Sequence, residues 1–306
     1  MAIGSVCVAG GGAMGLGIVR ALAASGVALS LLSRDAGSPK AGLPEGCARI
    51  ADFSGPAPDL LIESIPEDMA IKRDFLARAE AAWGGRTVIA SNTSVLPLQE
   101  LADGLAHPEK FCGMHFMYPA DTWDFVELIA VAQSDAAAMD AVAAFLVGAG
   151  KHPVRLGKPL PGGLINRLQH AMAHEAYSMI AAGAVDAATV DLVIRNTLAP
   201  RMCVTGLIEQ KDLSGLGTHA ASQAGIVPHL SRREAAVAFV LDLPARGETG
   251  AASGLGFYDW RQADPAAFRA FAARQVQRVL GVVAEAEVER RGVAPLPRQH
   301  GQGVRS

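Results

Sequence analysis

The sequence predicts an α/β protein whose first part is a doubly wound, mostly parallel sheet and whose second part is all helix. Three observations carry that expectation. Short apolar, β-branched runs alternate with stretches of helical spacing as far as about residue 156, the order that builds βαβ units. From Leu164 onward the apolar spacing is helical almost throughout. Between them lies the breaker-rich "LGKPLPGG", which puts a boundary at Lys158-Pro159 and gives domains 1–158 and 159–306.

The elements follow in order. "SVCVAG" (5–10) reads as a buried strand ending in glycine, and "AMGLGIVRALAASG" as a helix that stops at Gly26. "VALSLLS" (27–33) is a second strand. Residues 36–58 hold eight Gly or Pro, too many breakers for a long helix. "DLLIESI" (59–65) is a strand, "EDMAIKRDFLARAEAAW" a helix and "TVIAS" a strand. "KFCGMHF" and "FVELIAV" are two more strands, then come the helix "AAAMDAVAAFLVGAG" and the strand "HPVRL". The second domain holds "INRLQHAMAHEAYSMIAAG", "DAATVDLVIRNTLA" and "DPAAFRAFAARQVQRVLGVVAEAEVERR". The last of these starts with Asp264 as N-cap and Pro265 at the first helical position. From about residue 292 the chain reads as a flexible tail.

Composition narrows the class. Half of the 306 residues are hydrophobic and 19% are charged, enough for a large core. A net charge of −3 argues against a nucleic-acid partner. Cys7, Cys47, Cys112 and Cys203 have no metal-ligand spacing, so they read as buried thiols of a reducing compartment and no metal is expected. No apolar run is long enough to span a bilayer, and the N-terminus lacks the basic region of a secretion signal. The expectation is a soluble cytoplasmic protein acting on a small molecule.

Gly10, Gly12 and Gly15 follow a strand and open a helix. This spacing suits a dinucleotide. One glycine allows the tight turn, one lets the pyrophosphate approach, and one packs helix on strand. The N–H groups around Ala13, Met14 and Gly15 then meet the phosphates. The domain is therefore expected to be a Rossmann-type one. An acid that bonds the ribose is expected roughly 20 residues further on, but the second strand ends in Ser33-Arg34. A hydroxyl beside a guanidinium favours a 2′-phosphate, hence NADP, with Lys40 as a further positive charge. The alternative is NAD, with Asp35 taking the acid's place after a small shift.

Four polar residues stand at strand ends or at the start of the second domain: Ser94, His115, Glu127 and Asn166. Strand ends facing a crevice are where ligands bind in open α/β sheets. A carboxylate meeting the histidine across a turn would fix its tautomer and stabilise the imidazolium. A lone strand histidine is more often a satisfied core residue, and pattern alone leaves both readings open.

The blocks "VAGGGAMGLGI", "LIESIPEDMAIKRDF", "ASNTSVLPLQEL", "GMHFMYP…FVELI", "PGGLINRLQHAMAHEA" and "SGLGFYDW" occur in one order along nearly the whole chain. In this the sequence resembles the 3-hydroxyacyl-CoA dehydrogenase family, including its lambda-crystallin, L-gulonate and carnitine dehydrogenase branches. The resemblance implies His115 as general base, Glu127 as its partner, and Ser94 and Asn166 as groups that polarise and position the substrate oxygen. It places Glu67 and Lys72 at the nicotinamide side of the cofactor, and it implies a homodimer formed through the helical domain. Three departures stand out: Tyr118 replaces the family's usual cofactor-contacting Asn, Ser33-Arg34 replaces the ribose acid, and the Gly/Pro-rich 36–58 segment replaces the helical arm that covers CoA. The last speaks against CoA recognition. Arg201 aligns near an arginine of the gulonate and carnitine branches and would grip a substrate carboxylate; a surface arginine at a helix end is the other reading.

The resulting expectation is an NADP(H)-dependent dehydrogenase of a small 3-hydroxy acid. The alternatives are an NAD-dependent 3-hydroxyacyl-CoA dehydrogenase, an enzyme oxidising an aldehyde on an aromatic acid, or a lambda-crystallin-like structural or nucleotide-binding protein.

Overall fold

The structure, a computed structural model, describes residues 2–35, 37 and 42–295. Lys40 and the tail beyond residue 295 lie outside the described residues.

Eight strands form one sheet: β1 (Ser5–Ala9), β2 (Ala28–Leu32), β3 (Ala48–Ile50), β4 (Leu60–Glu63), β5 (Val88–Ser91), β6 (Phe111–Phe116), β7 (Phe125–Ala130) and β8 (His152–Leu156). Their order is β3-β2-β1-β4-β5-β6-β7-β8. Every neighbouring pair is parallel except β6 with β7, which is antiparallel. The helices of this part are α1 (Ala13–Leu22), α2 (Met69–Trp83), α3 (Leu98–Ala102) and α4 (Ala136–Gly148).

The alternation of side chains along a strand sets up two cores. Val6 and Val8 of β1 join Ile18 and Leu22 of α1 and Val142 and Leu146 of α4. Cys7 and Ala9 of the same strand join Leu76, Ala79 and Trp83 of α2 and Leu98 and Leu101 of α3. Both sheet faces are thus covered, which is why the inner strands read as continuous apolar runs. Asp68 and Asp135 accept hydrogen bonds from the Ile71 and Ala138 amides and so fix where α2 and α4 begin. Neither β3 nor α3 was expected from the sequence.

Because β1 lies between β2 and β4, the chain runs outward from β1 in both directions. The carboxyl ends of β1 and β4 are thus the switch point at which such sheets bind ligands.

The chain divides into two compact units, Met1–Gln169 and His170–Ser306. The division falls inside α5 (Ile165–Ala181), later than Lys158-Pro159. The cause is local: the Leu164 and Ile165 amides donate to Glu127 of β7, which holds the start of α5 in the first unit.

The second unit continues with α6 (Ala187–Val193), α7 (Ala199–Thr205), α8 (Glu209–Ser214), α9 (Leu216–Ile226), α10 (Ala238–Ala245) and α11 (Pro265–Arg290). A π-helical turn, Ile194–Leu198, joins α6 to α7 just before Pro200, whose ring and missing N–H do not fit a regular α-turn. Tyr177, Phe239 and Phe257 form an aromatic cluster, with Tyr177 stacked on Phe257 at 5.4 Å. Asp264 caps α11 as expected.

The cysteines do not all match the expectation of buried thiols. Cys7 and Cys112 are buried, and burial pushes their pKa values up to about 11 and about 12. Cys203, in α7, is exposed. Among the described residues no helix is long and apolar enough to cross a membrane.

Candidate active site

The glycine turn lies between β1 and α1, and its three glycines differ in what surrounds them. At Gly10, φ is +116°, and a Cβ would fall 2.2 Å from the Ser64 carbonyl oxygen. At Gly15 a Cβ would sit 1.8 Å from the carbonyl oxygen of Gly10, so α1 is seated directly on the turn. At Gly12, the N-cap, a Cβ would meet nothing within 4 Å. The first helical bond runs from Leu16 N–H to Gly12, so the amides of Ala13, Met14 and Gly15 lead the helix without side-chain caps. Among the described residues no side chain caps these N–H groups, and with the open space at Gly12 the turn fits a pyrophosphate.

Ser33 follows β2 directly, and its N–H donates to Ile50 of β3. Arg34 and Asp35 are exposed in the turn after it. Arg49, paired with Leu31 across β2–β3, donates to the Asp35 carbonyl at 3.2 Å. A second guanidinium therefore stands at this turn. No pattern in the sequence signals it, because β3 hides within the breaker-rich stretch.

The segment Ser91–Ser94 gives each of its polar side chains a different task. Ser91 donates to Glu63 at 2.6 Å. Asn92 accepts from the Phe116 N–H at 2.8 Å and so ties this loop to the end of β6. Thr93 donates to Glu67 at 2.6 Å. Ser94 Oγ lies 3.2 Å from His115 Nε2.

His115 and Glu127 are direct cross-strand partners in the antiparallel β6–β7 pair, so their side chains share a face. His115 Nδ1 is 2.8 Å from Glu127 Oε2. The other carboxylate oxygen accepts from the Leu164 N–H at 2.7 Å and the Ile165 N–H at 2.9 Å. Glu127 is fully buried and His115 nearly so. Burial pushes the Glu127 pKa up, but the hydrogen bonds from His115, Ile165 and Leu164, with the imidazole's charge, outweigh it and hold the carboxyl below its ordinary value. Gly163 makes room for this: with φ +59°, a Cβ there would lie 2.2 Å from Glu127 Oε2. The result is a line from buried carboxylate to imidazole to hydroxyl. With Glu127 fixing the proton on Nδ1, Nε2 is left as an acceptor next to Ser94.

The remaining expected residues are placed as follows. Asn166 is half-buried in the first turn of α5. Glu67 Oε1 accepts from Thr93, from the Ser94 N–H at 2.8 Å and from the Val95 N–H at 3.2 Å, and the side chain is 36% exposed. Burial raises the Glu67 pKa, but these bonds and Lys72 bring it below the ordinary value. Lys72 is only 1% exposed, and its ammonium is enclosed by Glu63, Glu67 and the Ile65 carbonyl. Tyr118, just past β6, is 69% exposed. Arg201 belongs to the second unit, where it is exposed and its Nε donates to the Thr197 carbonyl in the π-turn.

The sequence matches known proteins along most of its length. Residues 45–159 match the model of the 3-hydroxyacyl-CoA dehydrogenase NAD-binding domain, and residues 162–260 match that of the C-terminal domain. A 5-formyl-3-hydroxy-2-methylpyridine 4-carboxylate 5-dehydrogenase of Mesorhizobium japonicum is 28% identical over 79% of this chain and 80% of its own. An L-carnitine dehydrogenase of Streptomyces griseus is 36% identical, over 47% of this chain and 43% of its own. Among solved structures, an FHMPC 5-dehydrogenase described as an NAD+-dependent dismutase shares the fold with a TM-score of 0.84 at 24% identity, covering 92% of this chain and 99% of that one. A 3-hydroxyacyl-CoA dehydrogenase of Archaeoglobus fulgidus gives 0.66 at 26% identity, over 90% and 98%.

Proposed function

The chain belongs to the 3-hydroxyacyl-CoA dehydrogenase family, and from that premise we propose that it transfers hydride between NADP(H) and a small 3-hydroxy acid or 3-keto acid. The observation that carries this reading is the line Glu127–His115–Ser94, with distances of 2.8 and 3.2 Å, in the unit that also holds the glycine turn.

The amides of Ala13, Met14 and Gly15 would hold the pyrophosphate of a nicotinamide dinucleotide, and Ser33 with Arg34 would hold a 2′-phosphate by charge-assisted hydrogen bonds. Glu67 would lie on the nicotinamide side, as the family resemblance implies, and the chemistry such a group would supply is the giving or taking of hydride. In oxidation, His115 Nε2 takes the hydroxyl proton as the carbon gives up its hydride. In reduction, the imidazolium returns that proton to the forming alkoxide. Glu127 stabilises the imidazolium in both directions, while Ser94 and Asn166 donate to the oxygen as charge builds on it.

A second reading is favoured by the 28%-identical formylpyridine carboxylate dehydrogenase: oxidation of an aldehyde on an aromatic acid, with His115 deprotonating the aldehyde's hydrate. The helical unit leaves Ile208, Leu213, Leu216, Val279 and Val282 half or more exposed, the kind of apolar area that subunit contacts cover. A homodimer through this unit accounts for it, and light scattering should give twice the monomer mass.

The test is turnover with NADPH and NADH against short 3-hydroxy and 3-keto acids, aromatic aldehyde acids and acyl-CoA thioesters. His115→Gln should lower kcat about 10²–10⁴-fold while cofactor binding persists. Full activity in that variant would overturn the mechanism, and turnover of thioesters alone would overturn the substrate class.

A further inference from the structure

We propose that Glu63, acting through Lys72 and Glu67, is a positioning residue for Ser94. This rests on the reading above that Ser94 and His115 act on the substrate oxygen.

Glu63 ends β4 and is fully buried, and Lys72 is 1% exposed. The Lys72 ammonium has three N–H donors and three partners: Glu63 Oε1 at 2.5 Å, Glu67 Oε2 at 3.2 Å and the Ile65 carbonyl at 3.3 Å. Glu63 is held just as fully. Its Oε1 also accepts from the Ile65 N–H at 2.9 Å, and its Oε2 accepts from Ser91 at 2.6 Å. A buried ion pair adds little stability compared with apolar residues of its size. What this one provides is a fixed location.

That location is passed on to the site. With Oε2 held by Lys72, the other oxygen of Glu67 takes the Thr93 hydroxyl and the Ser94 and Val95 amides. Ser91, bonded to Glu63, holds the other end of the same loop. The Ser94 hydroxyl, 3.2 Å from His115 Nε2, is thus set from both sides by carboxylates that share one lysine. Without the lysine, Glu67 can turn toward solvent and release the loop. Misplacing a reacting group by about 1 Å costs about a hundred-fold in rate.

The test is Glu63→Gln, whose one acceptor oxygen stays with Lys72 and the Ile65 N–H while its NH2 donates to the Ser91 hydroxyl, so that the shape is kept and the charge facing Lys72 is removed. Expected are a kcat about ten- to hundred-fold lower and an unchanged Kd for NADPH. A double-mutant cycle with Ser94→Ala should show strong coupling, the double variant being no slower than Ser94→Ala alone. Multiplying effects would mean that Glu63 acts elsewhere and would overturn the proposal. A readout that needs no substrate is the ¹⁵Nε2 resonance of His115, which should shift in Glu63→Gln toward its position in Ser94→Ala; an unmoved resonance also overturns it. Failure of the substrate panel would defeat the functional reading while leaving this resonance to decide the brace. If Glu63→Gln does not fold, Glu67→Gln, at a partly exposed position, takes its place in the same cycle and resonance test with the same expectations.

Discussion

Replacing Glu127 by glutamine should disable His115 without disturbing the surrounding backbone. The carboxylate serves two clients. One oxygen accepts the Leu164 and Ile165 amides, and the other faces His115 Nδ1 at 2.8 Å. Glutamine has one acceptor oxygen and one NH2 group. Turning the NH2 toward the two part-buried backbone amides would set donor against donor and leave both unsatisfied, at up to about 1–3 kcal/mol each. The NH2 therefore faces Nδ1, which must become an acceptor, and the imidazole proton moves to Nε2. That nitrogen then donates to Ser94 and cannot take a proton from substrate. The amide-for-carboxylate change behind a catalytic histidine costs roughly 10⁴-fold in kcat, or about 5.4 kcal/mol at about 1.36 kcal/mol per decade. The assay is kcat/KM on the best substrate of the panel, with NADPH fluorescence for cofactor binding and ¹⁵N shifts for the tautomer. A folded variant within ten-fold of the parent, or one that keeps its proton on Nδ1, would refute the reasoning.

Further outcomes follow from the same geometry. Gly163→Ala should destabilise by at least about 1–2 kcal/mol from its left-handed backbone alone and lower activity by pushing on Glu127, read from the urea midpoint and kcat; an unchanged midpoint would contradict the contact. Glu127, Glu67 and Asp59 all have pKa values below the ordinary range. Groups of that kind stabilise the fold above their unfolded value, and the contribution is lost as pH falls through the folded one. The melting temperature should therefore not change through these groups at neutral pH and should fall below about pH 4.5, less steeply in Glu67→Gln; equal slopes would remove Glu67 from the account. Arg34→Ala should reduce the ratio of kcat/KM for NADPH over NADH about ten- to hundred-fold, the worth of a charge-assisted bond. A parent enzyme that prefers NADH sinks that assignment.

Where periodicity is strong, the fold could be read from the sequence. β1, α1, β2 and, α3 apart, the elements from β4 to β8 lie within a few residues of their expected places, because the strands are short runs dominated by apolar residues and each long helix has a cap or a glycine stop. β3 escaped because three residues, Ala48–Ile50, carry no pattern of their own and pair only because β2 offers an edge. The spacing of His115 and Glu127 hinted at a meeting across a turn, but not that β7 runs against its neighbour to achieve it. Lys72 looks like any charged residue on an amphipathic helix. Only coordinates show that it points inward, since its partners come from β4 and from the loop before α2. The same holds for Gly163, whose bare backbone is needed for a carboxylate 36 residues earlier in the chain.

The pairing of imidazole and carboxylate on one hairpin has a consequence for how the enzyme comes together and fails. The two residues are twelve apart in the chain, whereas the Glu63–Ser91 bond spans 28. Loop-closure entropy grows with chain separation, so the His115–Glu127 pair is assembled by a contact of low order, on the microsecond scale of hairpin zipping, ahead of the longer connections that enclose it. In a partial opening that frees the start of α5, the pair keeps its register and loses its shelter. Water then reaches the carboxylate from the side where two amides had been.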